Sequence, residues 1–485
     1  MKELKIVRSL LTEMNEKIRY CHWKSNQHIS DALFGVDDLD ILIDRKQYGE
    51  LQSILNTLDF KHFYTPSIRT YIGIEDYLGF DEDTGKIVHL HLHHQLTLGE
   101  KFLKGFHLPL EEAILSSRRW EESAQLYCSS YYHELFLLIV RAAMKLRKRD
   151  VLKKNVLGKS SRAEYDWLVK KCADFESLLF EDAFFNNQVK DAILKIYKSG
   201  FTYSSCNSLK HKLFRYYSFY TQGSLLANTL RRQYREVGRV ISELEKRVFK
   251  PNYPFLRRRV ATGGLSIAFV GMDGAGKSTT IKEVRSWLSK VMDVRYFYLG
   301  SGDGPVSLLR APLRLVLNLA HKSGAIKRSS VEDGLKEKDK SKPGFTKRLW
   351  FYTLSLERIE RLKAMRRCRN RGFVTIADRY PQSEIPGLCD GTRFDRFTGL
   401  TARTEQRAME YAKYCSPDLI LKMMVSPEVA ILRKPGELTL ETGKYLFEKV
   451  RKIKYSERSN VVEINADQPQ DKVWLDVKKQ IWKML

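Results

Sequence analysis

The sequence predicts an α/β protein in three parts: a small α/β domain over residues 1–125, a helical region over 126–250, and a larger domain with a parallel sheet over 263–485. Three observations predict this order. In the first part, strand-like runs LDILID (39–44) and KIVHLHLH (86–93) alternate with segments of helical period. Long helical periods follow, as in YYHELFLLIVRAAMKLRKRD and SLLANTLRRQYREVGRVISELEKRVFK, with no convincing strand among them. Residues 251–262 carry two prolines and an arginine triplet and read as a linker. Beyond it the apolar runs LSIAFVG, VRYFYLG, GFVTIAD, PDLILKMMV and NVVEIN recur with helices between them, the pattern of parallel strands joined by crossover helices.

Composition limits the function classes. A chain of 485 residues that is 43% hydrophobic and 11% aromatic can build two to four packed domains, which excludes a disordered or collagen-like protein. Lysine and arginine outnumber aspartate and glutamate by 84 to 58, a surplus of 26. That surplus favours polyanionic partners: nucleotides, nucleic acid or an anionic membrane face. The seven scattered cysteines form no Cys-x-x-Cys pair, which argues against a disulfide framework or a zinc site and fits a reducing cytoplasm. The charged, amphipathic N-terminal segment lacks the apolar stretch of a signal peptide, and the apolar runs fall short of the ~18 residues of a spanning helix. A cytoplasmic location is the expectation. Residues 321–346 are polar and nearly free of aromatics, so they are expected to form a mobile insertion.

The strongest local signal is GMDGAGKS, from Gly271 to Ser278, which fits the pattern G-x-x-x-x-G-K-[ST] between the apolar run LSIAFV and the helical STTIKEVRSWLSKV. Glycines at 271, 274 and 276 let the backbone turn tightly and aim its N–H groups at phosphate oxygens. Lys277 is placed to reach the β and γ phosphates of ATP, the Ser278 hydroxyl can ligate Mg²⁺, and Thr279 continues the phosphate-binding helix start. An acidic group at the end of a neighbouring strand completes such a site, and GFVTIADRY puts Asp378 there, where it can hold Mg²⁺ directly or through water.

Four blocks in this order, FVGMDGAGKSTT, LERIERL, GFVTIADRYPQS and PDLILKMMVSPEVAILRK, resemble the thymidylate kinase family of P-loop nucleoside monophosphate kinases. The resemblance covers roughly residues 263–485. It implies a P-loop kinase fold in which Asp273 faces the acceptor's sugar hydroxyl, Arg358 contacts the acceptor, Asp378 and Arg379 serve metal and phosphates, and Arg433 and Lys434 belong to a cationic lid. The sequence also departs from the family. YFYLGSGDGPVSLLR stands where the family carries an Arg-Glu-Pro-Gly-Gly motif, so the acceptor is open: a nucleoside monophosphate, or a sugar or glycan-type molecule. Tyr296, Tyr298, Asp303 and Arg310 are candidates for an acceptor pocket, or else the tyrosines pack and Arg310 caps a helix.

In the first part, WKSN (23–26) precedes GVDDLDILID, where Asp38 and Asp40 flank Leu39 and strand alternation turns both carboxylates to one face, able to share a divalent metal. This resembles the nucleotidyltransferase superfamily of the polymerase-β type, which implies Mg²⁺ and nucleoside triphosphate binding by that pair. The superfamily's third carboxylate is missing from the candidate strand, VHLHLHHQ, which instead alternates His89, His91 and His93, with His94 next. These histidines suggest metal ligation or a modified catalytic centre, or else a polar strand face of hydrogen-bonded imidazoles.

The expected function is ATP- and Mg²⁺-dependent phosphoryl transfer to a small acceptor. The alternative is a nucleic-acid-binding or sensing protein that uses ATP as a switch. Residues 310–371 hold 18 Lys or Arg against 6 Asp or Glu, and the amphipathic stretch 308–320 could lie on an anionic membrane, but aromatics are too few for a stacking groove.

Overall fold

The structure is a computed structural model that describes residues 3–100, 102–152, 156–248, 257–300, 344–385, 390–392, 397–436 and 438–485. Asp303, Arg310, the basic stretch 308–320 and all but the last residues of the expected insertion lie outside the described residues. The chain divides into two compact units, Met1–Val248 and Phe249–Leu485. No helix among the described residues is long and apolar enough to cross a membrane.

Among its described residues the first unit has nine strands: β1 (Tyr20–His22), β2 (Leu39–Ile43), β3 (Lys61–Tyr64), β4 (Ile74–Phe80), β5 (Ile87–His93), β6 (Leu96–Leu98), β7 (Phe106–Leu108), β8 (Arg119–Glu121) and β9 (Leu126–Cys128). Seven of them form a mixed sheet in the order β3-β4-β5-β2-β1-β9-β8, and β6 pairs with β7 alone. The two strands read from the sequence are β2 and β5, which lie side by side in parallel. All five residues of β2 are buried, Asp40 among them.

The helical stretch follows as helices Tyr131–Lys145, Lys159–Lys171, Phe175–Glu181, Asn187–Ser199, Tyr203–Tyr216 and Leu225–Val248. Local chemistry sets their ends. The Ser130 hydroxyl accepts from the His133 N–H and the Asn186 amide oxygen from the Val189 N–H, each satisfying an otherwise unpaired donor of a first turn. Gly200, at φ 85°, ends the helix Asn187–Ser199, and Thr202 opens the next with a capping box closed by Ser205.

The division expected at residue 125 does not separate two cores. Cys21, Trp23 and Leu42 from the sheet share one buried cluster with Leu135, Phe136, Phe175, Ile193 and Leu209 from the helices. β9 also carries the chain back into the sheet, pairing with β1 inside the stretch expected to be helical. At three residues it is too short to show a period-2 pattern, so sequence periodicity passes over it.

The second unit is built on β11 (Leu265–Val270), β12 (Val294–Tyr298), β13 (Val374–Asp378), β14 (Leu419–Met424) and β15 (Asn460–Asn465), preceded by the two-residue β10 (Arg259–Val260). The five strands coincide with the five apolar runs of the sequence. Their order is β12-β13-β11-β14-β15, and every pairing is parallel. Helices Lys277–Ser289, Phe345–Arg369, Leu400–Tyr414, Leu440–Lys452 and Gln470–Met484 make the crossovers and the C-terminal cover.

A buried carboxyl joins sheet and helices within the first unit. Glu134, on the helix Tyr131–Lys145, accepts hydrogen bonds from the Asn26 backbone N–H at 2.9 Å and its side-chain amide at 2.8 Å. Burial pushes the Glu134 carboxyl up to about 7, against these hydrogen bonds, which favour the anion. A raised folded-state value means that its contribution to stability is fully present below about pH 4.5 and is lost as the pH rises toward 7. Neighbouring His133, which burial pushes down to about 4, has the opposite dependence, so comparison with a variant isolates Glu134. The stability of the wild type relative to E134Q is expected to fall by about 3 kcal/mol between pH 4.5 and 7. Urea unfolding of both proteins across that range measures the difference.

Candidate functional site

The pairing of β11 with β13 sets Phe269 beside Asp378, so the loop leaving β11 and the carboxylate ending β13 emerge at the same edge of the sheet. In open parallel sheets this edge, at a point where strand order reverses, is where ligands bind. Here β13 and β14 flank β11 on opposite sides.

Three glycines shape the loop. Gly271, Gly274 and Gly276 have φ of 145°, 86° and 76°, a region that side chains other than glycine rarely enter. Space is a second requirement at two of them: a Cβ on Gly271 would lie 2.6 Å from the Met423 carbonyl oxygen, and one on Gly274 2.9 Å from that of Ala430. Gly276 caps the helix Lys277–Ser289 without a side-chain hydrogen bond, so the first-turn N–H groups face the loop. Ser278 and Thr279 are exposed in that first turn. A helix N-terminus opening onto backbone N–H groups is suited to phosphate.

Lys277 is buried. Its ammonium donates to the carbonyls of Gly271 at 2.9 Å and Met272 at 2.8 Å and lies 3.7 Å from Asp273 Oδ1. Burial, reinforced by the Arg379 charge, pushes the ammonium below its ordinary value, while Asp273 and Asp378 pull it back up. Asp273 is held below the usual carboxylate range: burial opposes ionisation, but Lys277, Arg379 and Lys434 outweigh it. Asp378 behaves oppositely. Burial raises its carboxyl even though Tyr296 donates to Oδ2 at 3.0 Å and Arg379 and Lys277 lie nearby.

Arg379 ties the site together. Its guanidinium donates to Asp273 Oδ1 at 3.0 Å and to Asp390 Oδ2 at 3.4 Å, and its backbone N–H to Phe269 O at 3.0 Å. Its φ of 69° is a left-handed conformation for a side-chain-bearing residue, a strain of the kind held at functional sites. Arg358 reaches the same group from the helix Phe345–Arg369, donating to Asp390 Oδ1 at 3.4 Å and to Leu299 O at 3.0 Å. Gly300 permits this crowding, since a Cβ there would meet Arg379 Cδ and the Tyr298 hydroxyl, each at 2.6 Å.

Gly271, Asp273, Gly274, Gly276, Lys277, Arg358, Asp378 and Arg379 are thus brought together around one edge. Arg433 is turned elsewhere, donating to Ala466 O at 2.9 Å, whereas Lys434 acts electrostatically on Asp273. Two contributors escaped the sequence reading in their observed roles. Tyr296 proves to be the donor to Asp378, and Asp390 bridges the two arginines. Asp390 had no signal beyond an isolated acidic residue in a turn-rich segment.

The first unit gathers a second polar group. Register sets Asp40 of β2 opposite His91 of β5, and Asp76 of β4 opposite the same histidine. His91 Nδ1 lies 2.9 Å from Asp40 Oδ1, and the Lys24 ammonium 2.8 Å from Asp40 Oδ2. His89 bridges Asp38, 2.6 Å from Nδ1, and Asp76, 2.5 Å from Nε2. Asp76 of β4 thus brings a further carboxylate to this group, and no comparison supports the nucleotidyltransferase resemblance expected for this part of the chain. Burial opposes ionisation of Asp40, yet Lys24, His91 and His93 hold its carboxyl well below the usual range. Burial lowers His91 and pushes His93 down to about 3, so both are neutral imidazoles near pH 7.

Replacing Gly274 by alanine combines a disfavoured φ with a contact to the Ala430 carbonyl. G274A is expected to lose about 1–3 kcal/mol of stability, read from the second unit's transition in denaturant unfolding.

No protein-family model matches the chain. Among solved structures, a thymidylate kinase from Candida albicans is similar at 16% identity, covering 46% of this chain and 91% of that one, with a TM-score of 0.27. The uncharacterized ATP-binding protein YghS of Escherichia coli K12 is 30% identical over 176 residues, which is 35% of this chain and 73% of the relative. The uncharacterized ATP-binding protein YghR of the same strain is 30% identical over 228 residues, 44% of this chain and 86% of the relative. At that identity over most of both relatives' length, the chain belongs to the family of YghS and YghR.

Proposed function

We propose that the second unit binds ATP with Mg²⁺ and transfers its terminal phosphoryl group to a small acceptor, a nucleoside monophosphate or a sugar or glycan-type molecule. The observation that carries the reading is the loop Gly271–Ser278: three glycines at positive φ, the buried Lys277 ammonium, and Asp378 brought to the same sheet edge by the β11–β13 register. The relatives YghS and YghR, both named as ATP-binding proteins, support the nucleotide.

The residues fit such a ligand. Loop and first-turn N–H groups cradle phosphate oxygens, and the Lys277 ammonium exchanges its carbonyl partners for them. Ser278 and Asp378 supply oxygen ligands for Mg²⁺, which would neutralise charge on the phosphates when bound. Arg379 and Arg358, both anchored on Asp390, present fixed positive charge where phosphoryl oxygens become more negative. Asp273 faces the acceptor hydroxyl and orients it, with Lys277 and Arg379 holding the carboxyl below the usual range. Phosphoryl transfer needs mainly this kind of positioning and charge neutralisation.

The proposal is confined to the second unit. In the first, Asp38 and Asp40 each engage a different histidine, which does not favour the shared Mg²⁺ that nucleotidyl transfer by that pair would need.

The test is ³¹P NMR of products after incubation with ATP, Mg²⁺ and a panel of nucleoside monophosphates, sugars and sugar phosphates. ADP and a new phosphate ester are expected, with kcat/KM reduced about 10²–10³-fold in K277A and in D378N. ATP binding with no turnover on any acceptor would overturn the kinase reading in favour of a switch. Retention of that protein on nucleic acid at low salt would then identify a sensor.

A further inference from the structure

Three side-chain atoms of the first unit converge on one point. Asp40 Oδ1 lies 2.9 Å from His91 Nδ1 and 3.5 Å from His93 Nε2, and the two ring nitrogens are 3.3 Å apart. A triangle with these sides has a circumradius of about 1.9 Å, just inside the roughly 2.0–2.2 Å bonds that nitrogen and oxygen ligands make to zinc. An ion slightly off the triangle's plane therefore reaches all three atoms at bonding distance. Hydrogen bonding accounts for the cluster less well. Only the contact of His91 with Asp40 falls within the usual 2.7–3.2 Å of an N–H···O bond, and the two contacts of His93 are longer.

We propose that Asp40, His91 and His93 form a two-histidine, one-carboxylate site for a divalent first-row transition ion, such as Zn²⁺, Mn²⁺, Fe²⁺ or Co²⁺, with its remaining coordination positions open. Two imidazoles suit these ions, whereas Mg²⁺ and Ca²⁺ prefer all-oxygen sets. The atoms around the triangle are placed as supports. Lys24 takes Asp40 Oδ2, leaving Oδ1 for the ion. His89 uses both ring nitrogens on Asp38 and Asp76, so it brackets the site and is not a ligand. β2 and β5 are paired in register, so the ligands stand on rigid elements.

The test titrates the full-length protein with Co²⁺ in the absence of nucleotide, so its outcome is independent of ATP binding by the second unit. Stoichiometric binding with visible d–d absorption is expected, displaced by Zn²⁺ and unaffected by an equal concentration of Mg²⁺. D40N and H91Q are expected to weaken Co²⁺ binding at least about tenfold, while H211Q, at an exposed histidine on the helix Tyr203–Tyr216, binds normally. Circular dichroism and thermal melts establish that the variants are folded. If H91Q is unfolded, the near-isosteric D40N carries the comparison. No stoichiometric binding by the folded wild type, binding unchanged in D40N and H91Q, or displacement by equimolar Mg²⁺ would each overturn the site.

Discussion

The parallel pairing of β11 with β13 is the constraint on which the second unit's chemistry depends. A glycine loop alone binds little, and an isolated aspartate at a strand end is ordinary. Setting Phe269 against Asp378 places the carboxylate beside the loop before any ligand arrives. β12, pairing in register on the far side of β13, adds the Tyr296 hydroxyl to the same edge. Strand pairing is rigid on the scale of a side chain, so the site inherits the precision of the sheet.

Buried charge is the second theme. Lys277, Asp273, Arg379, Asp390 and Arg358 form a chain in which each ionised group faces one of opposite sign. Such chains are costly to bury and more costly to interrupt, since removing one member leaves its neighbour unpaired in a poor solvent. The first unit follows the same rule with Lys24 on Asp40 and His89 between Asp38 and Asp76. In each place one carboxyl, Asp273 or Asp40, is held below the usual carboxylate range at a fixed position.

The parts of the protein legible in the sequence were those written contiguously. LSIAFVG and the four other apolar runs each became a strand of the parallel sheet; β11, β13 and β14, buried along their whole length, need mostly consecutive apolar residues, while β12 and β15 at the edges are less buried. GMDGAGKS was legible because all its requirements, tight turns, a lysine and a helix start, fall within eight residues. Strand alternation made Asp38 and Asp40 legible as sharing one face, and His89, His91 and His93 as sharing another, but that the two sets meet rests on the pairing of β2 with β5. Asp76 was not legible as part of this group, since its relation to His89 and His91 exists only through the antiparallel register of β4 on β5. The continuity of the first unit's core past residue 125 was equally hidden, because it rests on side chains of the sheet meeting helices more than a hundred residues later.

The sequence by itself determined the order of elements, the phosphate-type loop and the residue types available for chemistry, because periodicity, turn glycines and capping residues act over a few neighbouring positions. Tertiary structure alone decided which of those residues meet. Asp390 joins Arg358 to Arg379, Tyr296 serves Asp378, Arg433 turns to Ala466, and Asp40 faces two imidazoles at metal-binding spacing. These partnerships depend on strand register and helix placement across tens of residues, and no local preference of the chain encodes them.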